Sequence, residues 1–496
     1  MTPLSYKDFS RLASQGNLVP LSQKLSTDLE TPVAALLKVK DSPYSFLLES
    51  MEGGARFGRY SFVGFSPRLI LEARENDWSL ATREKKYLKP EKGRGNPLDR
   101  LKQEMSALRW VPDAQLPRLC GGAVGYLAYD CIRYFEKIPN LKRPRIDFPD
   151  CFFGLYDQLL IFDSLCHSSF IVVNAYLDGK QSTRKVYDKA IRQLEQLTHQ
   201  FQKILPPSAY APRKAQKLPA WKASLSQGEF HQKVLKAQEY IKAGDIFQVV
   251  LSMQWKAKAR LDPAAVYRAL RRLNPSPYLF CLRMGKYSLV GSSPEVMVRL
   301  ENEKVTLRPI AGTRRRGRSE EEDRAMEAEM LADPKERAEH IMLVDLGRND
   351  VGRVCEAGSV RATELMSVEK YSHVMHLVSN VEGKLLEKKD AFDVISASFP
   401  AGTLSGAPKI RAMEIVEELE PVRRGFYGGC VGYIDFAGNS DMAITIRSLA
   451  MNSQDLYVQA GAGVVYDSVP ELEYKECHNK ARAVMEAVKE VAEGKL

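Results

Sequence analysis

The sequence is poor in several features that would place a protein quickly. Its eight cysteines, at 120, 131, 151, 166, 281, 355, 430 and 477, form no CxxC pair. That excludes a zinc ribbon and a dense disulfide framework, and fits free thiols in a reducing cytosol. Long apolar runs are missing too. The most apolar extended window, 159–177, is interrupted by Asp163, Ser164, His167, Ser168 and Ser169, and reads as two strands and a turn, not a membrane span. The opening residues, MTPLSYKDFSRLASQG, carry no apolar h-region, which argues against a secretory signal and makes the cytoplasm the expected location. There is no internal repeat, no long low-complexity tract, no Walker A and no GxGxxG after a strand.

What is present is ordinary in bulk. Of 496 residues, 44% are apolar and 27% charged, enough to bury a large core and too much for a disordered, collagenous or coiled-coil chain. At about 100–200 residues per domain, the length suggests two to four units. The net charge is +10, but the basic residues are spread widely. The one dense run, Arg314-Arg315-Arg316 with Arg318, is followed at once by Glu320, Glu321 and Glu322, and no aromatics interleave it. A nucleic-acid surface is therefore not expected.

The clearest seam is the segment 206–220, whose PPSAYAPRKAQKLP is proline-rich, polar and basic and reads as a linker or crossing segment. It divides a strand-rich region, 1–205, from a second region, 221–496. Hydrophobic periodicity predicts helices near 183–203, 226–243, 263–272 and 470–493, and three or four more between 319 and 417. Strands are expected near 246–255, 278–283, 287–291, 295–300, 428–435, 441–449 and 456–460. Strands and helices come in runs instead of strict alternation. That favours an α+β fold, a layered sandwich of largely antiparallel sheets with helices packed outside.

Two acidic pairs stand out. In DPKERAEH, Asp333 suits an N-cap, Pro334 the first helical position, and Glu336 a capping box; Glu336 and Glu339 then share a face. In SVPELEYKE, Ser468 can cap, Glu471 can close the box, and Glu473 and Glu476 repeat the three-residue spacing. Acidic residues in a first turn commonly answer the helix dipole. If the two helices faced each other, however, four carboxylates would converge, a donor set suited to Mg²⁺. Glycine-rich turns at 311–313, 401–409 and 459–463 can offer backbone N–H groups to an anion or be plain turns. GGCVG at 428–432 matches a nucleophile-elbow pattern around Cys430, but the strand-like YIDF follows it and the only later histidine, His478, has no His-x-Glu companion. His373 and His376, three apart in an apolar stretch, would face opposite sides of a strand and share no metal.

Taken in order, PIAGTRRRGRS, DPKERAEHIMLVDLGRNDVGRV, FPAGTLSGAPKIRAMEIVEELE, QAGAGVVYDS and ECHNKARA resemble the chorismate-utilising enzymes, and within them the component I (large) subunits of anthranilate synthases. The similarity covers most of 226–490 and extends to FLLESMEGGARFGRYSFVGFSP at 46–67 and GGAVGYLAYDCIRYFE at 121–136. The resemblance implies Mg²⁺ held by Glu339 and Glu476, with Glu336 and Glu473 acting through water. It implies chorismate contacts from Gly312, Thr313, Thr403, Tyr427, Arg447, Gly461, Ala462 and Gly463, and catalytic roles for Glu295, as proton donor, and His376. The implied reaction adds ammonia at C2 of chorismate, expels the C4 hydroxyl and then loses pyruvate to give anthranilate, at the head of tryptophan biosynthesis.

Two positions bear on the alternatives. Gln248 stands where isochorismate and salicylate synthases carry a lysine to activate water, and a neutral amide is no base. Ala311 stands in PIAGT where aminodeoxychorismate synthases carry a nucleophilic lysine. The rival readings are an aminodeoxychorismate synthase large subunit and a non-catalytic basic binding protein on the same scaffold. Gly347, in DLGRND, replaces the alanine usual in this family. No glutaminase triad occurs in the chain, so a glutamine amidotransferase subunit is the expected partner in a hetero-oligomer. The resemblance further implies feedback inhibition by L-tryptophan, with LLES matching Glu49 and Ser50 and NPSPYL matching Pro277, Tyr278 and Leu279 to the elements that bind it in family members.

Overall fold

The computed structural model describes residues 4–26, 30–50, 58–144, 146–206, 214–370 and 374–495, without the side chains of Ser26, Thr313 and Val374. Part of the 206–220 segment, part of the 46–67 motif and His373 lie outside the described residues.

Among the described residues the strands form two sheets of twelve, and each pair of named strands is antiparallel. The sequence regions on either side of 206–220 share both sheets. In the first, Tyr44–Glu49 pairs with Tyr278–Met284, placing Glu49 opposite Leu279. In the second, Gly122–Leu127 pairs with Cys430–Asp435. Strands such as Cys151–Tyr156 and Gln158–Asp163 are buried along their whole length. They belong to one continuous apolar core that joins the two sheets. The α+β sandwich expected from the element pattern is the observed architecture.

Helices pack on this core through single apolar stripes. Thr183–Gln202 buries Val186, Ala190, Leu194, Leu197 and Phe201, at the spacing of one helical face. Gln227–Lys242 starts with a complete capping box, Ser226 and Glu229 each satisfying the other's backbone. Between 319 and 417 there are helices at Glu320–Ala332, Pro334–Gly352, Ala391–Ser398 and Lys409–Leu419, with a hairpin of Arg361–Lys370 and Val374–Lys384 among them. No described helix is long and apolar enough to cross a membrane. All eight cysteines are free, and only Cys166 is exposed.

Three local expectations are corrected. The strand expected over 441–449 is two, Ser440–Ile444 and Ser448–Met451, because Arg447 takes a left-handed φ of 50° and turns the chain between them. Ser468 does not cap the last helix: Val469 is the N-cap, and the Ser468 hydroxyl accepts from the Val465 N–H at 3.0 Å. Asp333 caps as expected, accepting from the N–H groups of Lys335 and Glu336. Glu336 does not complete a box, however, because the Asp333 N–H already donates to Glu329 at the end of the preceding helix.

One buried ion pair ties several of these elements together. Arg424 is 1% exposed and Glu420 4% at their side chains. Arg424 donates to both carboxylate oxygens of Glu420, to the Leu404 carbonyl at 2.5 Å and to the Val250 carbonyl at 2.6 Å. Glu420 also accepts from the N–H and hydroxyl of Ser252 at 2.8 and 2.7 Å. Truncating one member of such a pair strands the other as a buried charge, at a cost of about 3–5 kcal/mol. Arg424→Met is therefore expected to lower the thermal unfolding midpoint by several degrees, and adding Glu420→Gln to recover part of the loss. An unchanged midpoint in the single variant would remove the pair from the account of stability.

Candidate active site

The two acidic helices are brought to one place. Pro334–Gly352 carries Glu336 and Glu339, and Pro470–Ala492 carries Glu473 and Glu476. Burial raises the Glu339 pKa, the Gln248 amide opposes this, and the negative charges of Glu336 and Glu476 raise it further. Glu473 is likewise raised by burial and by Glu476, against the Ser468 hydroxyl. Each carboxylate also has a local partner. Gln248 Nε2 donates to Glu339 at 3.0 Å, Arg314 to Glu336 at 2.8 Å, and Lys480 pairs with Glu476 at 2.5 Å. Among the described residues, no three His, Cys, Asp or Glu side chains are gathered tightly enough to hold an ion by themselves. The donor chemistry nevertheless fits a hard divalent cation, because the negative charges that raise the pKa of Glu339 and of Glu473 are relieved by added positive charge.

Glycines let the backbone close in on this cluster. Gly312 has a φ of 60°, and a Cβ there would lie 2.8 Å from Glu336 Oε2. A Cβ at Gly461 would meet the Tyr427 hydroxyl at 2.8 Å, and one at Gly463 the Gln248 amide at 2.8 Å. Gly461, Ala462 and Gly463 lie on Asp455–Val464, paired with Ser252, Leu251 and Val250 of Gln248–Lys258. The Gly461 carbonyl accepts from Lys480 at 3.0 Å. Thr313 lies on Ile310–Arg315, and its side chain is outside the described residues.

His376, on Val374–Lys384, stands with Nδ1 2.9 Å from the Gly312 carbonyl. A carbonyl only accepts, so Nδ1 carries the proton and Nε2 keeps its lone pair. Burial lowers the pKa of this histidine, with Arg447 adding to the effect, and so favours the neutral ring. Glu295, 9% exposed, accepts from the Thr403 hydroxyl at 2.8 Å. Burial pushes its pKa up to about 7, against the pull of Thr403 and Lys480. Desolvation lowers the pKa of Arg447, with Tyr427 and Glu476 countering it. Among the described residues no carboxylate is within ion-pair distance of Arg447, so its guanidinium is a sheltered cation open to an anion.

The basic run serves the site and its surroundings instead of a polyanion: Arg314 reaches Glu336 and Asp333, Arg315 pairs with Glu322, and Arg316 with Asp323. Cys430 lies inside a fully buried strand, and burial pushes its thiol pKa far up, so it is inert. His478 packs edge-on against Trp255, with ring centroids 5.1 Å apart.

Sequence reasoning missed Lys480, Arg314 and the contact of Gln248 with Glu339. Lys480 was detectable as the i+4 partner of Glu476. The other two are contacts across the fold with no local signal.

A separate cavity lies between the two sheets. Glu49, Ser50, Pro277, Tyr278 and Leu279 line it together, with about 760 Å³ of atom-free space, part of it open to solvent. The Ser50 hydroxyl is buried and without a partner among the described residues. Tyr278 donates to Asp441 at 3.0 Å and accepts from Arg299 at 2.8 Å. The Glu49 carboxylate is engaged by Arg271, at 3.0 and 3.1 Å, and by the Tyr267 hydroxyl. Ser50, not Glu49, is thus the polar group of this strand end left unpaired.

Comparison with known proteins agrees with this geometry. The family described as chorismate binding enzyme matches residues 75–486. The anthranilate synthase component 1 of Acetivibrio thermocellus is 44% identical, over 97% of this chain and 97% of that protein. The component 1 of a Synechocystis species is 46% identical, over 98% of each. The crystal structure of anthranilate synthase component I from Streptococcus pneumoniae superposes with a TM-score of 0.75 at 34% identity, covering 93% of this chain and 98% of that one. With full-length similarity of this order, the chain belongs to the chorismate binding enzymes and, within them, to the anthranilate synthase component 1 family.

Proposed function

We propose that the chain converts chorismate and ammonia to anthranilate, pyruvate and water, with Mg²⁺ at the paired carboxylates and ammonia supplied by a separate glutamine-hydrolysing subunit. The observation that carries this reading is the meeting of Glu339 and Glu476, each from its own helix, beside the unpaired Arg447. Chorismate has two carboxylates, and the site offers one cationic group and one cation-binding cluster. Glu339 and Glu476 would hold Mg²⁺, with Glu336 and Glu473 reaching it through water. When bound, the ion supplies a Lewis acid that neutralises and polarises the ring carboxylate. Arg447 pairs with the pyruvyl carboxylate through its fork. The backbone at Gly312, Thr313, Gly461, Ala462 and Gly463 follows the ring closely, and Tyr427 and Thr403 bound it.

The chain's own residues then move the protons. Glu295, which burial keeps protonated below a pH of about 7, donates to the departing C4 hydroxyl, while Thr403 holds its carboxyl in place. His376, neutral and oriented by Gly312, accepts a proton as the ring becomes aromatic. Gln248 spends its amide on Glu339 and provides no base for water, which favours ammonia as nucleophile. The name component 1 borne by the relatives implies a component 2, and no glutaminase triad is found in this sequence. L-Tryptophan is proposed to bind the cavity at Ser50, its indole against Pro277 and Tyr278, and to inhibit through unequal affinity for two states.

The direct test is incubation of the chain with chorismate, ammonium and Mg²⁺: fluorescent anthranilate is expected, and aminodeoxychorismate or no product would overturn the assignment. Glu339→Ala and Glu476→Ala are each expected to lose about 3 kcal/mol of transition-state stabilisation, a factor of about 100. They should also lose the rise in unfolding midpoint that Mg²⁺ gives the parent; full activity at ordinary Mg²⁺ in either variant refutes the metal assignment.

The acid role has a pH signature. A carboxyl raised to about 7 is protonated, and so competent, below that pH. At constant free ammonia, kcat/KM for chorismate should fall as pH rises through about 7, and Glu295→Gln should lower it about 10²–10⁴-fold and flatten that limb. A limb that persists unchanged in Glu295→Gln belongs to another group.

Ser50→Phe, which fills the cavity, should leave turnover near that of the parent and weaken tryptophan inhibition strongly. Inhibition curves that superpose for the two proteins would exclude the cavity as the inhibitor site.

A further inference from the structure

Helix Pro334–Gly352 turns one stripe to the core, and the first member of that stripe is polar. His340, Leu343, Val344, Gly347 and Val351 are buried at the spacing of one helical face. A leucine at 340 would fill its place without a polar group to satisfy. His340 also directly follows Glu339. The side chain that anchors this end of the helix and the carboxylate that serves the site are thus consecutive residues.

The imidazole is held by one bond. Its Nε2 lies 2.6 Å from the Ser379 hydroxyl, and both residues are 0% exposed. The same oxygen accepts from the Met366 N–H at 2.9 Å. That N–H is free of the ladder because the pairing of Arg361–Lys370 with Val374–Lys384 slips there. Glu364 is opposite Asn380 and Ser367 opposite Val378, so Leu365 and Met366 together answer Ser379. Met366 takes a left-handed φ of 54° in this bulge. A buried hydroxyl proton is not left idle, and among the described residues His340 is the one acceptor it has. Ser379 therefore donates to Nε2, and the ring carries its proton on Nδ1.

Three elements meet at this hydroxyl. The helix brings Glu336 and Glu339. The strand Val374–Lys384 brings His376, three residues before Ser379. The bulged strand Arg361–Lys370 places Glu369 opposite His376. The helix also packs on Ile310–Arg315, whose Gly312 carbonyl orients the His376 ring. A helix held by apolar contacts alone can slide or turn, because such contacts have no preferred direction, whereas a hydrogen bond does. We propose that His340 is a positioning residue: its bond to Ser379 fixes the rotation and height of helix Pro334–Gly352, and so sets the carboxylates of Glu336 and Glu339 against His376 for the reaction. This rests on the reading that Glu339 holds Mg²⁺ and His376 accepts the proton. His340 acts through the helix backbone, and a displacement of about 1 Å at the reacting groups is enough to cost roughly 100-fold in rate.

The test compares His340→Leu, which keeps an apolar filling and drops the bond, with His340→Gln, whose amide oxygen can accept from Ser379. Ammonium-dependent turnover, Mg²⁺ binding by calorimetry and the thermal unfolding midpoint are measured on each full-length protein. His340→Leu is expected to stay folded, to lower kcat about 10–100-fold with a smaller change in KM for chorismate, and to weaken Mg²⁺ binding about 10-fold. His340→Gln should recover most of both losses. Ser379→Ala should lose as much as His340→Leu, and the double variant no more than either, because the two residues make one bond. Parent-like kcat and Mg²⁺ binding in His340→Leu overturn the proposal. So does a His340→Gln variant no better than His340→Leu, or a double variant whose losses multiply. If His340→Leu does not fold, Ser379→Ala decides, and parent-like kcat and Mg²⁺ binding there overturn the proposal. A parent that binds no Mg²⁺ or forms no anthranilate overturns the underlying reading of the site, and this proposal with it.

Discussion

A guanidinium buried to 1% exposure needs every donor answered, and the way Arg424 is answered organises the centre of this molecule. Its partners come from near and far along the chain: Glu420, four residues back at the end of Lys409–Leu419, Leu404 in the turn Gly402–Leu404, and Val250 in Gln248–Lys258. Through Glu420 and Ser252 the same network reaches Gln459, on the strand that carries the glycines at 461 and 463. The guanidinium also lies over Tyr129 and Tyr427, at 4.5 and 5.7 Å from their ring centroids. The turn that holds Thr403 against Glu295 and the strand that holds Gln248 against Glu339 are thus referenced to one charge.

The site itself separates carboxylates by environment. Glu295 is isolated in an apolar setting with one hydroxyl partner, which favours a protonated acid near neutral pH. Glu336, Glu339, Glu473 and Glu476 lie near one another's charge, with Arg314, Gln248 and Lys480 as the partners of Glu336, Glu339 and Glu476. The same side-chain chemistry therefore meets two environments, and the difference lies in neighbours and not in residue type.

The cavity at Ser50 and the acid at Glu295 are joined by a short path. Tyr278 and Leu279, in the cavity wall, are registered opposite Ser293 and Ser292, and Glu295 follows at the end of that strand. The cavity wall also includes Asp441, on the strand paired with Val296–Glu301. Because both sheets combine strands from before and after 206–220, the strand end at Glu49 meets the hairpin that leads to Glu295.

The sequence by itself determined whatever depends on short-range periodicity and turn chemistry. The helices near 183–203 and 226–243, the proline-led starts of the two acidic helices and the α+β pattern were legible from local order, and the family from its ordered motifs. Tertiary structure decided the rest. Ser468 lost its cap to a bond with Val465, Glu336 was drawn to Arg314, Glu49 was engaged by Arg271, and Arg447 was bent into a left-handed turn. For Glu336 and Glu49 the reason is the same: a buried polar group is satisfied by whatever donor packing brings within about 3 Å, and that neighbour, 22 residues away for Glu336 and 222 for Glu49, is chosen by the tertiary fold, which local sequence does not encode.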